Sequence, residues 1–350
     1  MRHRPVCAIV PPHILDHIAQ SADEALRNRA REALALGERL RGERIARGPR
    51  LFGPLGGDTK HRTVYDARHG TGLPGFLVRD EHDPPTSDMA AERAFRGAGD
   101  TYDFYKAVYG RTSIDDRGLQ LDSTVHFGVY FDNAFWNGRQ MVYGDGDGTI
   151  FTDFTSCLDV IGHELTHGVT DYEANLAYHG QSGALNESMS DVFGVLVKQW
   201  RLGQSADRAD WLVGEGLFGP GVNGKALRSM KAPGTAYDDA RVGKDPQPAH
   251  MRDFVVTSAD DGGVHINSGI PNHAFYLAAV EIGGRAWEKA GAIWYDALTR
   301  YLKRQSTFET AAGATLAAAG VRFGRGSLEE QAVRKAWDEV GVPIGVPMLT

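Results

Sequence analysis

His163-Glu164-Leu165-Thr166-His167 is the stretch from which the rest of the chain is read. Two histidines four apart leave the same face of a helix, one turn from each other. Imidazoles so placed suit two nitrogen ligands on one zinc ion. Glu164 projects about 100° round the helix from His163, so it stands beside such an ion rather than on it. A carboxylate there can take a proton from a metal-bound water. The plainer alternative is a surface helix with two solvated histidines.

A hydrolytic zinc takes three protein ligands and keeps one position for water. A third ligand is therefore expected downstream. Glu187, in Asn186-Glu187-Ser188-Met189-Ser190-Asp191, is the candidate. The apolar positions Met189, Val192, Phe193, Leu196 and Val197 have helical spacing. Glu187 is thus expected to open a second helix packed against the first. Asp191, four residues on, shares its face and can accept a hydrogen bond from the second nitrogen of a ligating histidine. An Asn N-cap with acidic residues in the first turn is the competing reading. That reading leaves the upstream motif unexplained.

Further segments agree with the first. They are Asn133-Ala134-Phe135-Trp136-Asn137-Gly138, Met141-Val142-Tyr143-Gly144-Asp145-Gly146-Asp147-Gly148, Gly162 through Thr170, Ser182-Gly183-Ala184-Leu185-Asn186-Glu187-Ser188, Arg228-Ser229-Met230, and Gly262-Gly263-Val264-His265-Ile266-Asn267-Ser268-Gly269. In order and in spacing the chain resembles the thermolysin family of zinc endopeptidases over residues 60–350. The resemblance implies His163, His167 and Glu187 as zinc ligands and Glu164 as general base. It implies Tyr178 and His265 as donors to the oxyanion, Asp260 as the carboxylate that orients His265, and Asp191 as the partner of a ligand histidine. It implies that Asn133 and the backbone of Ala134 bind substrate as an added strand. Arg228 would bond a substrate carbonyl beside an apolar pocket walled by Val160 and Leu227. Taken singly, Tyr178 and Trp136 would read as core aromatics and His265 as a satisfied loop histidine. The agreement of position with the family reverses that.

Hydrophobic residues make up 42% of the 350 and charged residues 24%, as in ordinary globular proteins. No apolar run approaches the length of a membrane helix. Two cysteines, Cys7 and Cys157, make no disulfide framework. The start, Met1-Arg2-His3-Arg4-Pro5-Val6-Cys7-Ala8-Ile9-Val10, has too short an apolar core for a secretory signal. The expected location is cytoplasmic, or outside the cell after export by another route, with the mature form secreted. The segment Pro11-Pro12-His13-Ile14-Leu15 resembles the Pro-Pro motif of the protealysin branch, whose precursors carry a short N-terminal propeptide.

Residues 1–50 hold ten Arg, no Lys and six acidic residues, a net of +4 in a chain of net −7. The remaining residues therefore carry −11, and charge steers one part onto the other. Residues 16–47 read as one or two amphipathic helices with Ile18, Ala22, Ala25, Leu26, Ala33, Leu36 and Leu40 as the stripe. No aromatic residue interleaves the arginines, which argues against a nucleic-acid or membrane partner. An inhibitory propeptide over residues 1–50 is expected, with cleavage in the Gly- and Pro-rich segment 48–59. In a sharper version Cys7, or a backbone group near it, reaches the zinc.

The expected fold class is α+β with two lobes. A β-rich N-terminal lobe with the zinc helix spans 51–180, and a mainly helical lobe spans 181–350. Val125 through Phe131 alternates like a strand, and Gly144 through Gly148 reads as a structural hairpin turn. Helices are expected at about 87–109, 158–173, 187–202, 268–283, 285–303, 307–320 and 327–340. Ser306 with Glu309 and Ser327 with Glu330 match capping boxes. Asp159, Asp210 and Glu215 match three acidic ligands of a double calcium site in the family, but Lys198 and Leu212 stand where two further carboxylates would be. At most one calcium is expected there. The function expected is a zinc endopeptidase made as a proenzyme, cutting before an apolar residue of peptide or protein substrates. No Gly-x-Met-x-Asn segment supports an aminopeptidase. An inactive relative acting through protein contacts would not need Glu164, Tyr178 and His265 together. A nucleic-acid-binding protein would need a basic main body.

Overall fold

The computed structural model describes residues 7–47 and 59–345. The expected cleavage segment therefore lies outside the described residues except for Thr59, and so does the side chain of Cys7.

Six strands form one sheet, in the spatial order β1, β5, β6, β4, β2, β3. They are β1 (Cys7–Ala8), β2 (Arg62–Asp66), β3 (Phe76–Arg79), β4 (Leu121–Val125), β5 (Ala134–Trp136) and β6 (Met141–Tyr143). The middle three, β2, β4 and β6, run parallel, and the others are antiparallel to their neighbours. One edge of this sheet is thus supplied by the N-terminal segment.

The N-terminal segment continues into α1 (Pro12–Ile18) and α2 (Glu24–Arg47). Pro12 starts α1 because it has no N–H to lose in the first turn. Ile14, Leu15, Ile18, Ala30 and Ala33 are buried. Ala22 and Ala25, expected in the stripe, are exposed, because they lie at the turn into α2 and its first residues. α3 (Met89–Tyr109) is capped by the Asp88 carboxylate and ends at Gly110. Its apolar face, including Ala94, Phe95, Ala98 and Phe104, is buried.

Val125–131 is not a strand. Val125 ends β4, and His126, Gly128 and Tyr130 have φ of 53°, 70° and 51°. Left-handed residues break the pleat. The alternation reflects Phe127 and Phe131, which tuck against Phe135 at centroid distances of 5.7 and 6.1 Å. Residues 144–148 form no hairpin either. The antiparallel pair is β5 with β6, and the chain runs on from Gly148. Asp147 gathers this loop by accepting the N–H groups of Thr149, Ile150 and Phe151.

The helical half comprises α4 (Leu158–Tyr172), α5 (Gly180–Leu202), α6 (Asp260–Asn267), α7 (Gly269–Ile282), α8 (Ala290–Asp296), α9 (Phe308–Phe323) and α10 (Leu328–Glu339). The expected helix over 285–303 is shorter, and it ends in a wider turn over Ala297–Tyr301. Thr307, not Ser306, caps α9, because the Ser306 hydroxyl accepts the Lys303 N–H. Ser327 caps α10 as expected.

Candidate metal centre

α4 and α5 cross backbone to backbone. A Cβ on Gly194 would lie 2.4 Å from the Asp159 carbonyl oxygen and 2.9 Å from the His163 nitrogen. Gly162 of α4 meets the Cα of Gly194 in the same contact. That close approach is what brings Glu187 up to the two histidines.

Glu187 does not open its helix. α5 begins at Gly180, where the chain turns in from the extended His179, and Glu187 sits two turns inside. Asn186 is accordingly no N-cap. Its Oδ1 accepts a hydrogen bond from His167 Nδ1 at 2.8 Å.

His163 Nδ1 donates to Asp191 Oδ1, also at 2.8 Å. Both acceptors are obligate, so each Nδ1 carries hydrogen and each Nε2 is the nitrogen left to face a cation. The two Nε2 atoms lie 3.0 Å apart. Glu187 oxygens lie 3.5 Å from each, and its Oε2 has no hydrogen-bond partner. Three converging donors at full burial, one of them orphaned, fit a divalent cation of the zinc type. Burial opposes charge on His163, but the carboxylates of Asp191 and Glu187 prevail and raise its pKa.

Asp191 is itself held. Arg228 clamps it through Nε and Nη2, both at 2.8 Å, and Asn272 donates at 2.8 Å. Burial works against its charge, but Arg228 and His163 hold it well below the usual carboxylate range. Glu164 faces the other side. Its Oε2 accepts the Trp136 N–H of β5 at 2.9 Å, and its Oε1 is buried without a partner. Burial pushes its pKa up, with His163 opposing and Glu187 adding to the rise, and a dication held by the neighbouring donors would favour the ionised carboxylate that a base requires.

His265 comes from α6. Asp260, Asp261, Gly262 and Gly263 all have positive φ, from 50° to 87°. This left-handed stretch, which two glycines make affordable, folds Asp260 back so that it accepts both the His265 N–H and Nδ1–H, at 2.8 and 2.6 Å. Burial opposes charge on His265, but Glu187 and Asp260 outweigh it and the pKa rises to about 9. Its Nε2 lies 3.3 Å from the Tyr178 hydroxyl and 3.2 Å from the Ala8 carbonyl oxygen. Tyr178 donates to Glu187.

Asn133 and Ala134 are occupied by the N-terminal segment. Ile9 N–H donates to the Ala134 carbonyl at 3.0 Å and Val10 N–H to Asn133 Oδ1 at 2.9 Å. Arg228 Nη1 donates to the Ile9 carbonyl at 3.1 Å. Val160 and Leu227 are fully buried in the same core. From sequence Asn186 reads only as a possible N-cap and Ser190 carries no role, yet both meet His167 Nδ1, the Ser190 hydroxyl at 3.0 Å. Their signal was there: each stands one residue before an acidic residue already chosen, Glu187 and Asp191.

At the expected calcium locus the ammonium of Lys198 lies 3.1 Å from Asp159 and 3.0 Å from Asp210, and donates to the Leu212 carbonyl at 2.9 Å. Burial and Asp210 raise the pKa of Glu215.

A sheet-bearing half, a helical half and a two-histidine, one-glutamate centre at their junction define a metallopeptidase. The comparisons with known proteins agree. Residues 57–171 match the thermolysin metallopeptidase catalytic domain, 174–342 its alpha-helical domain, and 7–35 the protealysin propeptide. An extracellular metalloprotease of Pectobacterium carotovorum subsp. carotovorum is 48% identical over 345 residues, covering 98% of this chain and 99% of that protein. Protease PrtS of Photorhabdus sp. (strain Az29) is 46% identical, with 96% and 92% covered. The solved precursor of protealysin from Serratia proteamaculans superposes with a TM-score of 0.88 at 50% identity, covering 96% of this chain and 99% of that one. The chain belongs to the thermolysin family of metallopeptidases, and it carries a propeptide of the protealysin kind. It is a zinc metalloendopeptidase made as a zymogen.

Proposed function

We propose that His163, His167 and Glu187 hold one zinc ion and that Glu164 is the general base of peptide hydrolysis. When bound, zinc lowers the pKa of water and polarises the scissile carbonyl. Glu164, buried and with one oxygen unpartnered, takes the proton of the attacking water and delivers it to the leaving amine. His265, whose Nδ1–H and backbone N–H are both held by Asp260, turns Nε2 to donate with Tyr178 to the oxygen on which negative charge develops. Asp191 orients His163, and Asn186 orients His167. Asn133, Ala134 and Arg228 hold the substrate as an added strand, and Val160 and Leu227 wall a pocket for the apolar residue after the cut. The observation that carries this reading is the convergence of two Nε2 atoms and an orphaned carboxylate oxygen.

In this reading residues 1–50 are the inhibitory propeptide, 51–180 the sheet-bearing lobe with the zinc helix, and 181–350 the helical lobe. Maturation cuts within 48–59. Substrates are peptides and proteins, and the partner in the precursor is its own propeptide, with no nucleic acid or membrane involved. No helix of the described residues is long and apolar enough to cross a membrane. The related Pectobacterium protein is named as extracellular, which supports release of the mature form outside the cell. The locus of Asp159, Asp210 and Glu215 takes at most one calcium, because the Lys198 ammonium already neutralises two of those carboxylates. Metal analysis giving two calcium ions there per chain would refute that.

The direct test is peptide cleavage by the wild type and by Glu164→Ala after maturation. Losing the base should lower kcat by about 10³-fold while zinc content stays at one per chain. Undiminished turnover in the variant would remove Glu164 from the mechanism.

A further inference from the structure

The N-terminal segment does more than cover the cleft. Its backbone is engaged group by group. Ile9 N–H meets the Ala134 carbonyl, and Val10 N–H meets Asn133 Oδ1, while the Asn133 amide returns a hydrogen bond to the Val10 carbonyl at 3.3 Å. The carbonyl after Ile9 faces Arg228 at 3.1 Å. The carbonyl before Ile9, that of Ala8, faces His265 Nε2 at 3.2 Å. One peptide bond, Ala8–Ile9, therefore lies between the group that would bind a substrate carbonyl and the group that would stabilise an oxyanion.

The register is pinned. β1 pairs Cys7 with Trp136 and Ala8 with Phe135. A slip by one residue would exchange the two faces of the strand. It would expel Ile9, which is wholly buried. Trp136 is also the residue whose N–H holds Glu164. The base is thus anchored to β5, the strand with which Ala8 pairs, and its other oxygen is buried without a hydrogen-bond partner. Ile9 supplies the apolar residue that follows the bond.

We infer that the Ala8–Ile9 bond is seated as the scissile bond and that the enzyme hydrolyses it within its own precursor, an inference that rests on the peptidase reading above. Water oxygen bonds to the Ala8 carbonyl carbon, and Glu164 takes one of its protons. The carbon–nitrogen bond breaks, and the Ile9 nitrogen leaves as an amine carrying that proton. The new carboxyl group then gives the second water proton to the amine, so the products are a carboxylate on Ala8 and an ammonium on Ile9, and only water is consumed. The shortened propeptide keeps its grip, because Ile14, Leu15 and Ile18 stay buried and His13 Nε2 lies 2.8 Å from the Tyr237 hydroxyl. This cut therefore precedes release and is distinct from one in 48–59.

The experiment follows zinc-loaded full-length precursor at neutral pH by intact mass and N-terminal sequencing. A chain beginning at Ile9 should accumulate first, with a rate unchanged on tenfold dilution, and should be absent from Glu164→Ala precursor. A second readout needs no turnover. In metal-free precursor the Ile9 and Val10 amides should exchange hydrogen slowly, and Asn133→Ala should speed Val10 at least tenfold without affecting α10. A precursor that matures into an enzyme active on a synthetic apolar peptide while residues 1–8 stay attached would overturn the inference and leave the peptidase reading standing. So would fast exchange at Ile9. A protein that cuts no peptide at all would remove both.

Discussion

At the scale of the residue, much of the centre was readable because its chemistry is local. His163, Glu164 and His167 share one helical turn and a half, and the period of the helix alone places them. Asp260 and His265 were not readable in this way. Their contact depends on four consecutive left-handed residues, which no periodic pattern announces. His126 likewise gains its partners only through the fold. It bridges Asp145 at 2.9 Å and Asp88, the cap of α3, at 2.9 Å. Hydrogen bonds to Asp145 and then Asp88 outweigh burial and raise its pKa to about 9 from an ordinary 6.5. A raised folded pKa stabilises the protonated folded form. The extra stability is fully present below pH 6.5 and is lost as pH rises through about 9. Between pH 6 and 10 the Tm of wild type should therefore fall more than that of His126→Gln. Parallel curves would show that the bridge contributes nothing.

At the scale of the element, the helices were legible and their starts were not. Apolar spacing reveals the body of α5, but its first two turns include Gly180, Ser182, Gly183 and Asn186, which are weak formers, and carry no stripe of their own. They are helical because they lie against α4, a tertiary cause that overrides propensity. The same contact makes Gly194 critical. Its added Cβ would meet Asp159 and His163 backbone, which cannot yield as a side chain can. Gly194→Ala, though favourable for an isolated helix, should cost about 1–3 kcal/mol or more in the fold. It should also weaken zinc binding, since separating the helices moves Glu187 from the histidines. Denaturant melts and a competitive chelator titration read the two effects. A variant equal to wild type in both would show that the crossing is slack.

At the scale of the whole molecule, the charge division between the first 50 residues and the rest pointed to docking. It did not say where. Arg29 of α2 lies 3.6 Å from Asp147 and stacks over the Tyr130 ring at 4.4 Å. Arg29 therefore meets two loops, the exposed ring of Tyr130 in 126–131 and the buried carboxylate of Asp147 in 144–148. The Arg29 side chain is 30% exposed, so the contact is worth about 0.5–1 kcal/mol. Arg29→Ala should speed maturation two- to fivefold, timed by the appearance of peptidase activity, and added salt should narrow the difference. An unchanged rate would place the hold of the propeptide in its apolar face alone.

Sequence by itself pointed to the three candidate donors, the proposed base and the class of reaction, because two of the candidate donors and that base lie within a single helical segment and the third follows on a helix whose later turns are periodic. Tertiary structure decided the rest. Glu187 reaches the histidines only through a glycine crossing, and Asp260 reaches His265 only through a left-handed turn. The propeptide's Ala8–Ile9 bond meets His265 and Arg228 only because a two-residue strand adds to a sheet edge formed more than a hundred residues away. Contacts between distant segments follow from packing and backbone hydrogen bonding, and those forces have no period along the chain.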